Sequence, residues 1–185
     1  ESWKDIPDAI LLPWQPGQEV GNSVAALLAG KLTPSGKLPM TWPIKYQDAA
    51  SSANFPSESS DYCVEGDQTR YKNRRNYGYT VYDEDIYVGY RYFDSFKKNV
   101  SYPFGYGLSY TTFAYSNVTA KANGGKVTVS VTVTNNGKRA GKEVAEVYVT
   151  APKGSVEKPV QELKAFAKTH TLQPGESETL TMDID

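Results

Sequence analysis

The sequence predicts an α+β chain in two parts, a strand–helix–strand piece near the N-terminus and an antiparallel β-sandwich toward the C-terminus. Three observations predict it. Residues 9–12 are a continuous apolar run, followed by a Pro-Gly turn and then apolar residues at helical spacing. Val127, Val129, Val131 and Val133 alternate strictly with polar residues, the period of a strand with one buried face. Between these parts, residues 44–110 show little periodicity, and 12 of the 14 tyrosines fall between Tyr62 and Tyr115.

The first part covers residues 1–43. Asp8-Ala9-Ile10-Leu11-Leu12-Pro13 suits a strand buried on both faces. Pro16-Gly17 marks a turn, and Val20, Val24, Leu27 and Leu28 then share a helix face that Gly30 is placed to end. Gly36-Lys37-Leu38-Pro39-Met40-Thr41-Trp42-Pro43 reads as a second strand fenced by prolines. One such unit cannot cover both faces of a sheet, so it needs neighbours. Residues 44–110 read as long loops held by aromatic anchors and wrapping a domain junction, a length uncommon inside a self-contained domain. Within them, Ile86-Tyr87-Val88-Gly89-Tyr90-Arg91-Tyr92-Phe93 fits either a strand or a short helix.

Residues 111–185 are β. Strands are expected at 113–121, 127–133, 145–149, 163–170 and 180–184, with turns at Asn135-Asn136-Gly137 and Leu172-Gln173-Pro174-Gly175. An immunoglobulin-like sandwich needs about seven strands. Five are readable, and the fifth ends on its alternating pattern, so the sandwich is expected to be incomplete at its C-terminus.

Composition excludes several classes of function. The 185 residues carry 20 Lys+Arg against 21 Asp+Glu, a net charge of −1, which argues against nucleic acid or an anionic membrane as partner. A single Cys (Cys63) precludes an internal disulfide, and a single His (His170), expected on a β surface, disfavours a His-based triad or metal site. The longest apolar runs, 9–12 and 24–29, are far short of a membrane span, and no basic start leads into an apolar stretch. No cofactor and no metal is expected.

Candidate binding residues are few. Trp14, Gln18 and Glu19 lie where a buried strand gives way to a helix, the place where open α/β sheets bind ligands. A carboxylate there also suits the positive end of the helix dipole. The competing reading makes Glu19 a helix cap and Trp14 a junction residue, and capping behaviour favours it. Tyrosine faces suit the apolar faces of pyranoses; Tyr71 and Tyr77, with Tyr62 and Tyr79, are the better sugar-contact candidates. Tyr87, Tyr90, Tyr92, Tyr102, Tyr106 and Tyr110 read instead as junction aromatics with hydrogen-bonded hydroxyls. The acidic groups Asp83-Glu84-Asp85 and Glu65 with Asp67 read as solvated loop. Phe104-Gly105-Tyr106-Gly107 lacks the lysine and the strand-to-helix setting of a phosphate loop.

Four motifs carry a family pattern: Ala9-Ile10-Leu11-Leu12-Pro13-Trp14-Gln15-Pro16-Gly17-Gln18-Glu19; Pro34-Ser35-Gly36-Lys37-Leu38-Pro39-Met40-Thr41-Trp42-Pro43; Tyr87-Val88-Gly89-Tyr90-Arg91-Tyr92-Phe93-Asp94; and Tyr102-Pro103-Phe104-Gly105-Tyr106-Gly107-Leu108-Ser109-Tyr110-Thr111-Thr112-Phe113. In this order they resemble the C-terminal part of glycoside hydrolase family 3, the β-glucosidase-type enzymes. The β segment resembles that family's fibronectin-III-like domain. The sequence departs from many such enzymes at Val20, which stands where a first glycine would precede Gly21.

The resemblance implies an α+β fragment: a partial α/β piece, then an immunoglobulin/fibronectin-III-like sandwich. It implies a periplasmic or secreted parent enzyme that hydrolyses β-linked glucosides or related oligosaccharides with retention. Retention uses two carboxyl groups about 5–5.5 Å apart. In the family, the nucleophilic Asp lies in an N-terminal barrel, and the acid/base Glu lies on a loop before the strand that residues 9–12 resemble. Neither motif occurs here, so no catalytic residue is expected in this chain, and alone it is expected to be inactive. Its expected partners are the N-terminal barrel, the rest of the α/β domain and, through them, the glucoside. Alone, it is expected to be oligomeric, strand-swapped or accompanied by other material. The alternative is a non-catalytic module that binds carbohydrate or protein.

Overall fold

The computed structural model describes residues 3–53 and 82–185. Tyr62, Cys63, Glu65, Asp67, Tyr71, Tyr77 and Tyr79 lie outside them. The elements run in the order α1 (Val20–Leu28), β1 (Trp42–Pro43), two 3₁₀ turns (Tyr46–Asp48 and Ala50–Ala53), α2 (Tyr90–Ser95), β2 (Val100–Tyr102), β3 (Phe113–Asn123), β4 (Lys126–Asn135), β5 (Val144–Val149), β6 (Glu162–Lys168) and β7 (Ser177–Ile184).

The sandwich follows from the alternating valines. β3, β4 and β7 form an antiparallel sheet in the order β3-β4-β7, and β5 pairs with β6 in the facing one. In the β4–β7 register, Val131 lies opposite Leu180 and Val129 opposite Met182, which puts the apolar residues of both strands on one face. There Val131, Val133, Leu180 and Met182 pack with Ala145 and Leu172. The other face carries a ladder of hydroxyls: Ser130 with Thr181 at 3.1 Å, Thr132 with Thr179 at 3.1 Å and Thr134 with Ser177 at 2.7 Å. Gly124 and Gly125, both at positive φ, close the two-residue β3–β4 hairpin. Asn117 and Val118 bulge out of β3, where the register shifts between Ser116 and Thr119.

Several elements differ from the expected ones. Residues 9–12 form no strand, because a strand exists only where a ladder partner satisfies its backbone; among the described residues none lies beside them. Ile10, Leu11 and Leu12 accordingly remain 36–40% exposed. Of residues 36–43, only Trp42 and Pro43 are strand, paired with β2, which the sequence reading did not single out. Leu38 still makes backbone bonds to Tyr106 O and from Gly105 N, 2.8 Å each, but Pro39 has no N–H to carry the ladder on. Of the Tyr-rich 86–93 run, residues 90–93 begin the helix α2 and residues 86–89 lie in the turn before it. β6 ends at Lys168, so His170 is not a strand residue.

His170 instead makes a surface tie. Its ring lies 3.0 Å from Glu176 and 2.7 Å from Glu178, and the Glu176 bond raises its pKa above the ordinary 6.5. The same bond lowers Glu176 from its ordinary 4.5. A raised histidine stabilises fully below its unfolded value and loses that contribution as pH rises through the folded one. A lowered carboxylate stabilises above its unfolded value and loses its share as pH falls. The tie is therefore strongest between the two ordinary values. Melting curves of His170→Gln should separate from the parent chain most near about pH 5.5 and converge above about pH 8.

Candidate functional site

The sequence-predicted site at the start of α1 is built by a turn. Pro16 and Gly17 reverse the chain, Val20 N donates to Gly17 O at 3.2 Å, and Ser23 N donates to Glu19 O at 3.0 Å. Glu19 occupies the N-cap position, but its carboxylate makes no capping bond and accepts from Asn22 Nδ2 at 2.6 Å. Gln18 and Glu19 are both exposed. Trp14 sits at φ 54, a conformation that costs a bulky residue about 1–3 kcal/mol. It is held edge-on against Trp42 with ring centroids 6.3 Å apart, yet stays 49% exposed. The rings continue from Trp42 to Tyr102 at 6.1 Å and from Tyr102 to Tyr106 at 5.1 Å. Trp14, Gln18 and Glu19 thus all lie solvent-open in the 14–19 stretch that leads into α1, an indole and a carboxylate among them. Such a pair can stack on a sugar ring and accept its hydroxyls.

Tyr71 and Tyr77 lie outside the described residues. Asp83, Glu84 and Asp85 form a turn that bonds Tyr87 N to Glu84 O at 2.8 Å, with Asp85 at φ 49. Among the described residues, no three His, Cys, Asp or Glu side chains are grouped closely enough to hold a metal ion.

The tyrosine-rich region joins the two parts of the chain. Tyr110 donates to Leu27 O at 3.0 Å, and the Arg139 guanidinium lies over the Tyr110 ring and donates to Gly30 O. Together they satisfy carbonyls at the negative end of α1. Lys37 Nζ pairs with Glu143 at 2.8 Å and donates to Gly107 O at 3.0 Å. Arg91 pairs with Glu162 at 3.0 Å, Tyr87 donates to Glu157 at 2.7 Å, and Leu163 N donates to the Tyr90 hydroxyl at 2.8 Å. Sequence reasoning missed Lys37, Arg139 and Glu143, since nothing local links positions about a hundred residues apart.

Comparison with known proteins adds to this geometry. A profile described as the glycosyl hydrolase family 3 C-terminal domain matches residues 1–110, more than half of the chain. The chain belongs to glycosyl hydrolase family 3. A second profile, a fibronectin type III-like domain, matches residues 143–185. The family 3 relatives include a β-glucosidase of Kluyveromyces marxianus, 40% identical over 184 residues, which cover 99% of this chain and 20% of that enzyme. β-Glucosidase A of Butyrivibrio fibrisolvens is 40% identical over 198 residues, with 97% and 22% covered. Among solved structures, β-glucosidase 3B of Thermotoga neapolitana in complex with α-D-glucose superposes with a TM-score of 0.86 at 50% identity, over 99% of this chain and 24% of that one. The Kluyveromyces marxianus enzyme in complex with glucose gives 0.84 at 38% identity, over 99% and 20%. The chain spans about a fifth of the length of the curated relatives it matches.

Proposed function

We propose that this family 3 chain is the C-terminal portion of a retaining β-glucosidase acting on β-glucosides or related oligosaccharides. One carboxylate of the parent enzyme attacks the anomeric carbon; a second protonates the departing oxygen and then activates water. Both lie on upstream segments. The present chain supplies the junction that holds those segments in place, and its three parts are 1–43, 44–110 and 111–185. Trp14, Gln18 and Glu19 contact substrate from the start of α1, joined by Tyr71 and Tyr77. The parent enzyme works in the periplasm or outside the cell; no helix among the described residues is long and apolar enough to cross a membrane.

The observation that carries this reading is that nearly the whole chain aligns, in one stretch, with about a fifth of enzymes described as β-glucosidases. The exposed apolar residues Ile10, Leu11, Leu12 and Trp14 support it, since a run of this kind stays exposed only until a neighbouring strand covers it.

Reconstitution tests the proposal. The purified chain alone should leave an aryl β-glucoside intact and run as an oligomer in light scattering. Titration with a separately produced segment carrying the barrel and the first part of the α/β domain should restore hydrolysis and yield a single mixed complex. Turnover by the chain alone, free of co-purifying enzyme, would overturn it, as would a stable complex without activity.

A further inference from the structure

A cleft of about 320 Å³ opens between α2, the 103–106 turn and β5. Its volume falls at the lower end of the range for small-molecule sites, about 300–1,000 Å³. The rings of Tyr90, Phe104 and Tyr148 wall it, Tyr90 lying 5.1 Å from Phe104 and 5.7 Å from Tyr148 between centroids. Among the described residues, its side-chain polar groups are the carboxylates of Asp94 and Glu146, the amide of Gln161 and the hydroxyls of Tyr90, Tyr106 and Tyr148.

These groups are held by their neighbours. Tyr148 donates to Glu146 Oε2 at 2.7 Å, and Gln161 Nε2 donates to Asp94 Oδ2 at 2.9 Å. Burial and the Glu146 bond push the Tyr148 phenol up, so it stays a donor. Gly105, at φ 77, lies against the Glu146 carboxylate so closely that a side chain there would overlap it. Each carboxylate can accept about four hydrogen bonds, so one internal donor leaves much of that capacity for a ligand. Among the described residues, no basic side chain lines the cleft. An anion is therefore repelled, whereas a ligand with apolar C–H faces and several O–H donors matches both the walls and the acceptors.

We propose that this cleft binds a neutral pyranoside, its ring against the aromatic wall and its hydroxyls donating to Asp94 and Glu146. The proposal goes beyond the hydrolytic reading, because it concerns binding by this chain's own residues and needs no turnover.

The test is calorimetric titration of the 185-residue chain with methyl β-D-glucopyranoside, cellobiose and, as a cationic probe, tetramethylammonium chloride. Both sugars should bind in the millimolar range. Affinity should fall at least about tenfold in the near-isosteric variants Glu146→Gln and Asp94→Asn. Gln161→Ala, at the cleft's polar side, should cause a similar loss and serves if either carboxylate variant fails to fold. Absence of sugar binding up to about 50 mM would overturn the proposal. So would undiminished binding in the folded variants, which would move the sugar elsewhere, or binding of tetramethylammonium alone. None of these results bears on the reconstitution assay, so failure of the two readings can be told apart.

Discussion

Replacing Asn135 by Ala is expected to cost the sandwich about 3 kcal/mol or more, because several buried groups lose their partner at once. Asn135 is 0% exposed at the end of β4. Its Nδ2 donates to Arg139 O at 2.7 Å and Leu172 O at 2.8 Å, and its Oδ1 accepts from Thr111 Oγ1 at 2.8 Å and Gly137 N at 3.1 Å. Ala makes none of these bonds, so two carbonyls, a hydroxyl and an N–H each lose a partner inside the fold. The thermal midpoint should drop by roughly 6–12 °C for a chain of this size. Asn135→Asp should fare no better at neutral pH, since its carboxylate faces two carbonyls that need a donor. It should recover in part on acidification, because a carboxyl raised in the folded state stabilises below its unfolded pKa and loses that contribution as pH rises. A midpoint within 2–3 °C of the parent chain for Asn135→Ala, on the order of 1 kcal/mol, would show that these bonds carry little.

Gly107→Ala is expected to open the junction. A Cβ at this position would overlap the backbone oxygen of Gly36, with Gly36 C and Lys37 Cδ each 3.2 Å away. Backbone cannot swing aside as a side chain can, so the strands of chain at 36–38 and 105–107 must part. Parting them strains the Lys37 bonds to Gly107 O and Glu143 and the Leu38 bonds to the 105–106 backbone. Overpacking of this kind costs about 1–3 kcal/mol. In the reconstituted enzyme the loss should appear as weaker association of the two segments, with turnover recovered at saturating concentration. Gly154→Ala, which has open space around it, serves as the control that should change neither stability nor association. Equal behaviour of the two variants would show that the junction does not rest on this approach.

Much of the fold was legible because its rules are local. The strict period of two in 127–133 fixes both the existence of β4 and the face it buries, and the helix spacing of Val20, Val24 and Leu28 places α1 within a residue or two of its ends. The misreadings have one cause. An apolar run such as residues 9–12 or 36–43 becomes a strand only if a partner ladder is present and prolines do not interrupt it, and neither condition is local. The Tyr87–Asp94 stretch stayed ambiguous because its aromatic density suits helix or strand equally; in the fold, α2 buries Phe93.

The candidate site divides along the same line. Sequence placed Trp14, Gln18 and Glu19 at a chain reversal before a helix; it could not show that Glu19 holds Asn22 rather than the helix N-terminus, which depends on backbone angles at the cap. Four motifs in order pointed to the family, as does the match over residues 1–110. Sequence by itself thus determined the sandwich strands, the helix and the family, because periodicity and motif order are properties of neighbouring residues. Tertiary structure alone decided which tyrosine meets which carbonyl, that Arg139 reaches Gly30, and that Asp94, Glu146 and Gln161 share one aromatic cleft. Those pairings join positions tens of residues apart, and only the packed chain brings them within hydrogen-bonding distance.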